Sequence, residues 1–217
     1  MQQHPDQLDP SEIEQANMVF PALAAVELGL GVLALAIAWF LNYQGPSQAW
    51  ERLVTPEQFG RDLIWGMLAT LPMFSAAWAL ERSRLRPLRH LRFIVHQLVA
   101  EVFYTCSTWQ VALISLLAGV GEELLFRGVM FDAVRGEGGI TGAMLVAFLV
   151  SCLLFGFAHA ITRAYLWVAT AIGAYFAILL MLSDSLLVPM IAHAFYDFVM
   201  LEFFLWRLVR TNGCSRL

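Results

Sequence analysis

An all-α, polytopic transmembrane bundle of about six spans is the fold this sequence predicts, on three observations. Of its 217 residues 59% are hydrophobic and only 14% charged. Soluble domains carry about 25% charged residues, so too little polar surface exists here to coat a water-soluble globule. Mean hydropathy is +0.67. Apolar runs long enough to cross a ~30 Å hydrocarbon core as helices recur along the chain, separated by short polar connections.

Residues 1–19 form a polar tail with Asp6, Asp9, Glu12 and Glu14 and no Arg. The apolar run 20–41 follows. The tail lacks the basic start of a signal peptide and no small-residue cleavage site follows the run, so it reads as a retained first span. Glu27 inside it is expensive in lipid and is expected to face protein or an interface. Residues 42–62 read as a polar loop, with Gly45-Pro46 and Thr55-Pro56 as turn punctuation. A second span, 63–80, is interrupted by Pro72.

The next connection, residues 81–92, holds five of the 13 arginines (Arg82, Arg84, Arg86, Arg89 and Arg92), and there is no Lys in the chain. Such a block beside a span marks the cytoplasmic side. Across 88–104 apolar residues recur at three- and four-residue spacing around His96 and Glu101, which fits either an amphipathic surface helix or the first part of a bent span. Further spans are expected at 111–120, leading into Gly121-Glu122-Glu123, then at 142–159, 164–182 and 186–206, with Pro189 near the start of the last. Six spans put nine arginines on the side of the N-terminus and three on the other, which predicts both termini in the cytoplasm.

The division that follows is a tail (1–19), N-terminal helices with the Arg-rich loop (20–106), a catalytic core (107–206) and a C-terminal tail (207–217). The net charge of −4 gives no footprint for nucleic acid. Cys106, Cys152 and Cys214 show no C-x-x-C pairing. The final Cys214-Ser215-Arg216-Leu217 falls in the register of a prenylation box, but its middle residues are not aliphatic, so it reads as coincidence.

Three clusters put ionisable groups inside apolar runs. In Glu122-Glu123-Leu124-Leu125-Phe126-Arg127-Gly128, Glu123 and Arg127 lie four apart and can pair across one helical turn. Glu122 is rotated about 100° away and is left as a tunable base. The second cluster is Phe155-Gly156-Phe157-Ala158-His159, and the third is His193-Ala194-Phe195-Tyr196-Asp197 with His193 and Asp197 on one helix face. Each ionisable group at membrane depth costs about 2.5–3.5 kcal/mol on insertion scales, so these side chains must turn inward and satisfy one another.

Blander roles exist for each: His159 as a helix-end histidine, His193–Asp197 as a structural pair, Glu123–Arg127 as an orienting ion pair. Glu101, Glu202 and His96 read as interface or packing residues. A carboxylate with two imidazoles suits activation of water for attack on a carbonyl, directly or on a metal. Glu122, His159 and His193 are also acceptable ligands for a divalent ion such as zinc. Other membrane-protease signatures are absent: no His-Glu-x-x-His, no Gly-x-Ser-Gly and no Gly-x-Gly-Asp occurs.

Glu122-Glu123-x-x-x-Arg127, Phe155-x-x-x-His159 and His193-x-x-x-Asp197, in this order over about residues 107–206, resemble the three motifs of the CAAX-protease and bacteriocin-processing (CPBP, or Abi) family of intramembrane endopeptidases, to which type II CAAX prenyl endopeptidases belong. The resemblance implies a protease with Glu122 as the water-activating carboxylate and His159 helping to bind that water. It places His193 and Asp197 beside the scissile carbonyl and makes Glu123 and Arg127 supporting residues. The family often has Asn where Asp197 stands. An ionised Asp cannot donate to an oxyanion, so Asp197 is expected to orient His193 or to stay protonated. Both a metal-assisted and a metal-free glutamate/histidine mechanism are compatible with these residues.

The partners implied are a protein or peptide substrate and the lipid bilayer, in what the small size suggests is a prokaryotic cell (inner) membrane. A non-catalytic immunity or scaffold protein of the same fold is the first rival. A proton-coupled transporter is the second, disfavoured by the absence of an internal repeat.

Overall fold

A computed structural model describes residues 10–135 and 141–212. The first nine residues of the polar tail and the Cys214–Leu217 quartet lie outside them. The described chain is helical throughout, without strands: α1 (Pro10–Leu41), α2 (Gly45–Val54), α3 (Pro56–Arg82), α4 (Arg86–Phe103), α5 (Thr108–Glu123), a π-helical stretch (Leu124–Met130), α6 (Phe131–Arg135), α7 (Thr141–Ala158), α8 (Arg163–Ser183) and α9 (Leu187–Asn212).

Among the described residues five helical stretches are long and apolar enough to cross a membrane: Met18–Leu41, Pro56–Arg82, Thr108–Val134, Arg163–Ser183 and Leu187–Leu208. The shorter Gly142–Ala158 is a sixth apolar helix, matching the expected number. Their outward faces are apolar, with Trp39, Phe40 and Leu182 each about 80% exposed (81%, 82% and 80%). Such a surface requires lipid around it. The chain is an integral membrane protein.

Two sequence expectations change. The predicted polar loop 42–62 contains α2 and the first turns of α3. Each of its prolines starts a helix instead of breaking one, because the fixed φ of Pro suits the first turn, where the missing N–H has no partner to lose. Residues 88–104 belong to a separate amphipathic helix, α4, which buries Leu91, Val99 and Ala100. It ends before Ser107, whose side chain and that of Gln110 form a reciprocal cap that starts α5. It is therefore not the first half of the next span.

α5 runs between α1 and α9, packing on both, while α7 pairs with α8 and α3 packs on α9. Small residues allow the closest crossing. A Cβ on Gly119 would lie 2.7 Å from both the backbone nitrogen and the Cβ of Ala194 on α9. Since Gly119 lies one turn from Glu122 and Ala194 is next to His193, this crossing sets how near those two side chains can come. At one end of the bundle buried Asp62 accepts a hydrogen bond from Ser185 Oγ at 2.5 Å, with Arg52 at 3.7 Å and Arg61 at 3.4 Å. This joins α2 and α3 to the α8–α9 connection.

Gly119→Val is expected to force α5 and α9 apart and to lower stability by about 1–3 kcal/mol, the usual cost of overpacking. Thermal denaturation in detergent, scored against Gly119→Ala as a milder clash, checks this.

Candidate active site

The site is built on the helix that changes its winding. After Glu123 the chain passes from α-helical to π-helical hydrogen bonding through Leu124–Met130. Such wide turns are rare and tend to occur at functional sites. Phe126 O accepts from Phe131 N–H within this stretch and also from Ser151 Oγ on α7 at 2.9 Å. The irregular segment is thus tied to the neighbouring helix.

Arg127 and Glu123 are 1% and 0% exposed. Arg127 Nη1 donates to Glu123 Oε1 at 3.0 Å, and Nη2 donates to Gly173 O on α8 at 2.7 Å. The guanidinium also lies over the ring of Phe155, 4.5 Å from its centroid, where the ring's negative face favours a cation. Glu123 Oε1 meets a second partner from α9, His193 Nδ1, at 3.0 Å. The other ring nitrogen, Nε2, lies 3.3 Å from Asp197 Oδ2. An ionised carboxylate only accepts, so two such contacts call for both ring nitrogens to carry hydrogen. Phe176 stacks on the His193 ring at 4.8 Å and fixes its plane.

Glu122 points elsewhere. Its Oε2 lies 3.5 Å from His159 Nε2. His159 Nδ1 sits 2.9 Å from Phe155 O, an acceptor, so Nδ1 carries a hydrogen and Nε2 is the nitrogen turned toward Glu122. At this spacing a water lying off the line can bridge the carboxylate and the ring. Phe155 stacks on His159 at 4.5 Å and lies 6.0 Å from the His193 ring, so one aromatic side chain separates and positions the two imidazoles.

An apolar cavity of about 300 Å³ opens beside these groups. His159, His193 and Asp197 lie on its wall, and Leu91, Val95 and Phe103 of α4 help line it. Tyr165 also lines it, with its ring 6.4 Å from that of His159.

The six ionisable motif residues therefore meet in one region through α5, the π-helical stretch, the end of α7 and α9. The proposed metal set does not fit. A catalytic zinc site needs about three side-chain donors converging beside an open position. Among the described residues no three His, Cys, Asp or Glu side chains are so grouped. His193 has a carboxylate at each nitrogen, so it offers no lone pair to an ion. Phe176, Ser151, Tyr165 and the Gly173 carbonyl were not singled out from sequence. Nothing in an apolar helix marks which aromatic ring will lie on a histidine, and only Glu27 carried a signal, its charge within a span.

Residues 104–199 match the family model described as Type II CAAX prenyl endopeptidase Rce1-like. This stretch is similar to that family. No curated protein and no solved structure matches the chain. The Rce1-like segment runs from the turn before α5 into α9 and contains Glu122, Glu123, Arg127, His159, His193 and Asp197. At family level the activity is that of a CAAX-type intramembrane endopeptidase. α1 to α4 lie outside the match, although α4 lines the cavity of the Rce1-like segment.

Arg127→Met should destabilise the protein by about 3–5 kcal/mol, because Glu123 would stay buried with its main partner gone. Adding Glu123→Gln should recover part of the loss. Unfolding of both variants in detergent, compared with wild type, measures this.

Proposed function

We propose that the chain hydrolyses a peptide bond in a membrane-anchored protein or peptide, with water activated by Glu122 and His159. The observation that carries this reading is the Glu122 Oε2–His159 Nε2 pair, 3.5 Å apart, with His159 in the wall of the apolar cavity. Water held there donates one hydrogen toward Glu122. As its oxygen bonds to the scissile carbonyl carbon, that proton passes to Glu122. Collapse of the tetrahedral species breaks the C–N bond, and Glu122 returns the proton to the departing amine.

His193, held at both nitrogens, supplies positive charge beside the developing oxyanion. Asp197 keeps that ring aimed, the role its acceptor-only carboxylate permits. This mechanism uses no metal, in keeping with the way His193 is engaged.

The adjoining apolar cavity favours a substrate with a greasy group next to the cleaved bond, such as a prenylated cysteine near a C-terminal CAAX-type site, or an apolar stretch of a small peptide precursor. The arginine distribution supports cytoplasmic termini.

A quenched fluorescent peptide bearing an S-farnesyl cysteine followed by three residues tests this with purified protein in detergent. Glu122→Gln and His159→Ala are each expected to lower kcat by about 10²–10⁴-fold while leaving the fold intact. A wild-type rate from Glu122→Gln would remove the proposed base, and a protein that never cleaves would favour a scaffold role. Prolonged dialysis against a chelator is expected to leave the rate unchanged; loss of activity restored by zinc would overturn the metal-free mechanism.

A further inference from the structure

A carboxyl group in a first span needs a reason. Val26 and Leu28 on either side of Glu27 are 59% and 56% exposed, as suits a lipid-facing helix, whereas Glu27 turns inward. Its Oε2 is buried and has no hydrogen-bond partner. A role in holding α1 to the bundle would call for a protein partner at that atom.

The place where it turns inward is specific. A Cβ on Gly121 would lie 2.6 Å from Glu27 O and 3.2 Å from the nitrogen of Gly31, so the backbones of α1 and α5 touch at the residue directly before Glu122. The titratable groups near enough to act on Glu27 are Glu122, His193, Asp197 and His159. These are the four residues to which catalysis was assigned above. Glu122 Oε2 is likewise buried without a hydrogen-bond partner. Two buried, unpartnered carboxyl oxygens on helices whose backbones touch at this point are the situation that ordered water relieves, since one molecule has two hydrogens to give.

We propose that Glu27 is a further catalytic residue, which binds the hydrolytic water from the α1 side while Glu122 activates it. The inference rests on the assignment of Glu122 as base. Water donates one hydrogen to each carboxyl group. When Glu122 takes its proton, the remaining O–H stays on Glu27, and the oxygen lone pair is left directed at the carbonyl carbon. No further reactant is required. An N-terminal helix outside the Rce1-like segment thereby completes the site within it.

The test uses the full chain and the farnesyl-cysteine peptide. Glu27→Leu should reduce kcat about 10- to 100-fold, the value of a hydrogen bond to a charged group, with KM little changed. Its melting temperature should stay level or rise, because an unpartnered buried polar atom has been replaced by an apolar one. Glu27→Gln, whose amide can still bond to water, should keep most of the wild-type kcat. A wild-type kcat for Glu27→Leu overturns the proposal while leaving Glu122 in place. Equal losses of melting temperature and activity in both variants also overturn it, as the mark of a structural role. Full activity of Glu122→Gln instead fails the underlying assignment, and this inference with it.

Discussion

A guanidinium sealed inside an apolar bundle is the constraint around which the rest of this structure is arranged. Arg127 is almost wholly withdrawn from both water and lipid, so its charge has to be met by protein. Glu123 comes from its own helix, the Gly173 carbonyl from α8 and the Phe155 ring from α7. Glu123 then passes the connection to His193 on α9. One buried cation thus specifies the rotation of four helical segments at once. An apolar core of similar volume could hold them together but would not select their register so sharply.

Adjacent carboxylates acquire opposite roles from this arrangement. Glu123 is committed to Arg127 and His193 in full burial, while Glu122, one residue earlier, has only the longer contact to His159. The difference lies in rotation about the helix axis. The wide winding that begins at Leu124 carries Arg127 to Glu123 without drawing Glu122 along. A carboxylate with spare acceptor capacity beside a histidine whose Nδ1 is tied to backbone can handle a proton. One that is fully buried against a guanidinium and an imidazole serves to hold structure.

The helices outside the Rce1-like segment contribute more than thickness. α4 lies as an amphipathic cover over the space between α8 and α9, and its apolar face forms part of the cavity wall next to His159 and His193. Glu81, at the end of α3, meets His96 of α4 at 3.0 Å and Arg207 of α9 at 3.2 Å, so the cover is held polar-side outward by ion pairs at its edge. On the other flank α1 lies so close to α5 that only glycine fits at position 121.

The amino-acid pattern alone determined the helical class, the apolar helices and the Glu123–Arg127 pair, because each is a matter of composition or of spacing within one helix. It misread 42–62 as loop, since Gly-Pro and Thr-Pro mark turns and helix starts alike. It also left open whether 88–104 crosses, because period does not reveal which side of a helix meets lipid. Tertiary structure decided what lies between helices: that Ser151 and Gly173 anchor the π-helical segment and its arginine, and that Glu123 of α5 meets His193 of α9, so that this ring is engaged at both nitrogens. Such facts depend on the relative rotation and closeness of segments far apart in the chain, and close approach is set by small residues whose effect appears only where another backbone meets them.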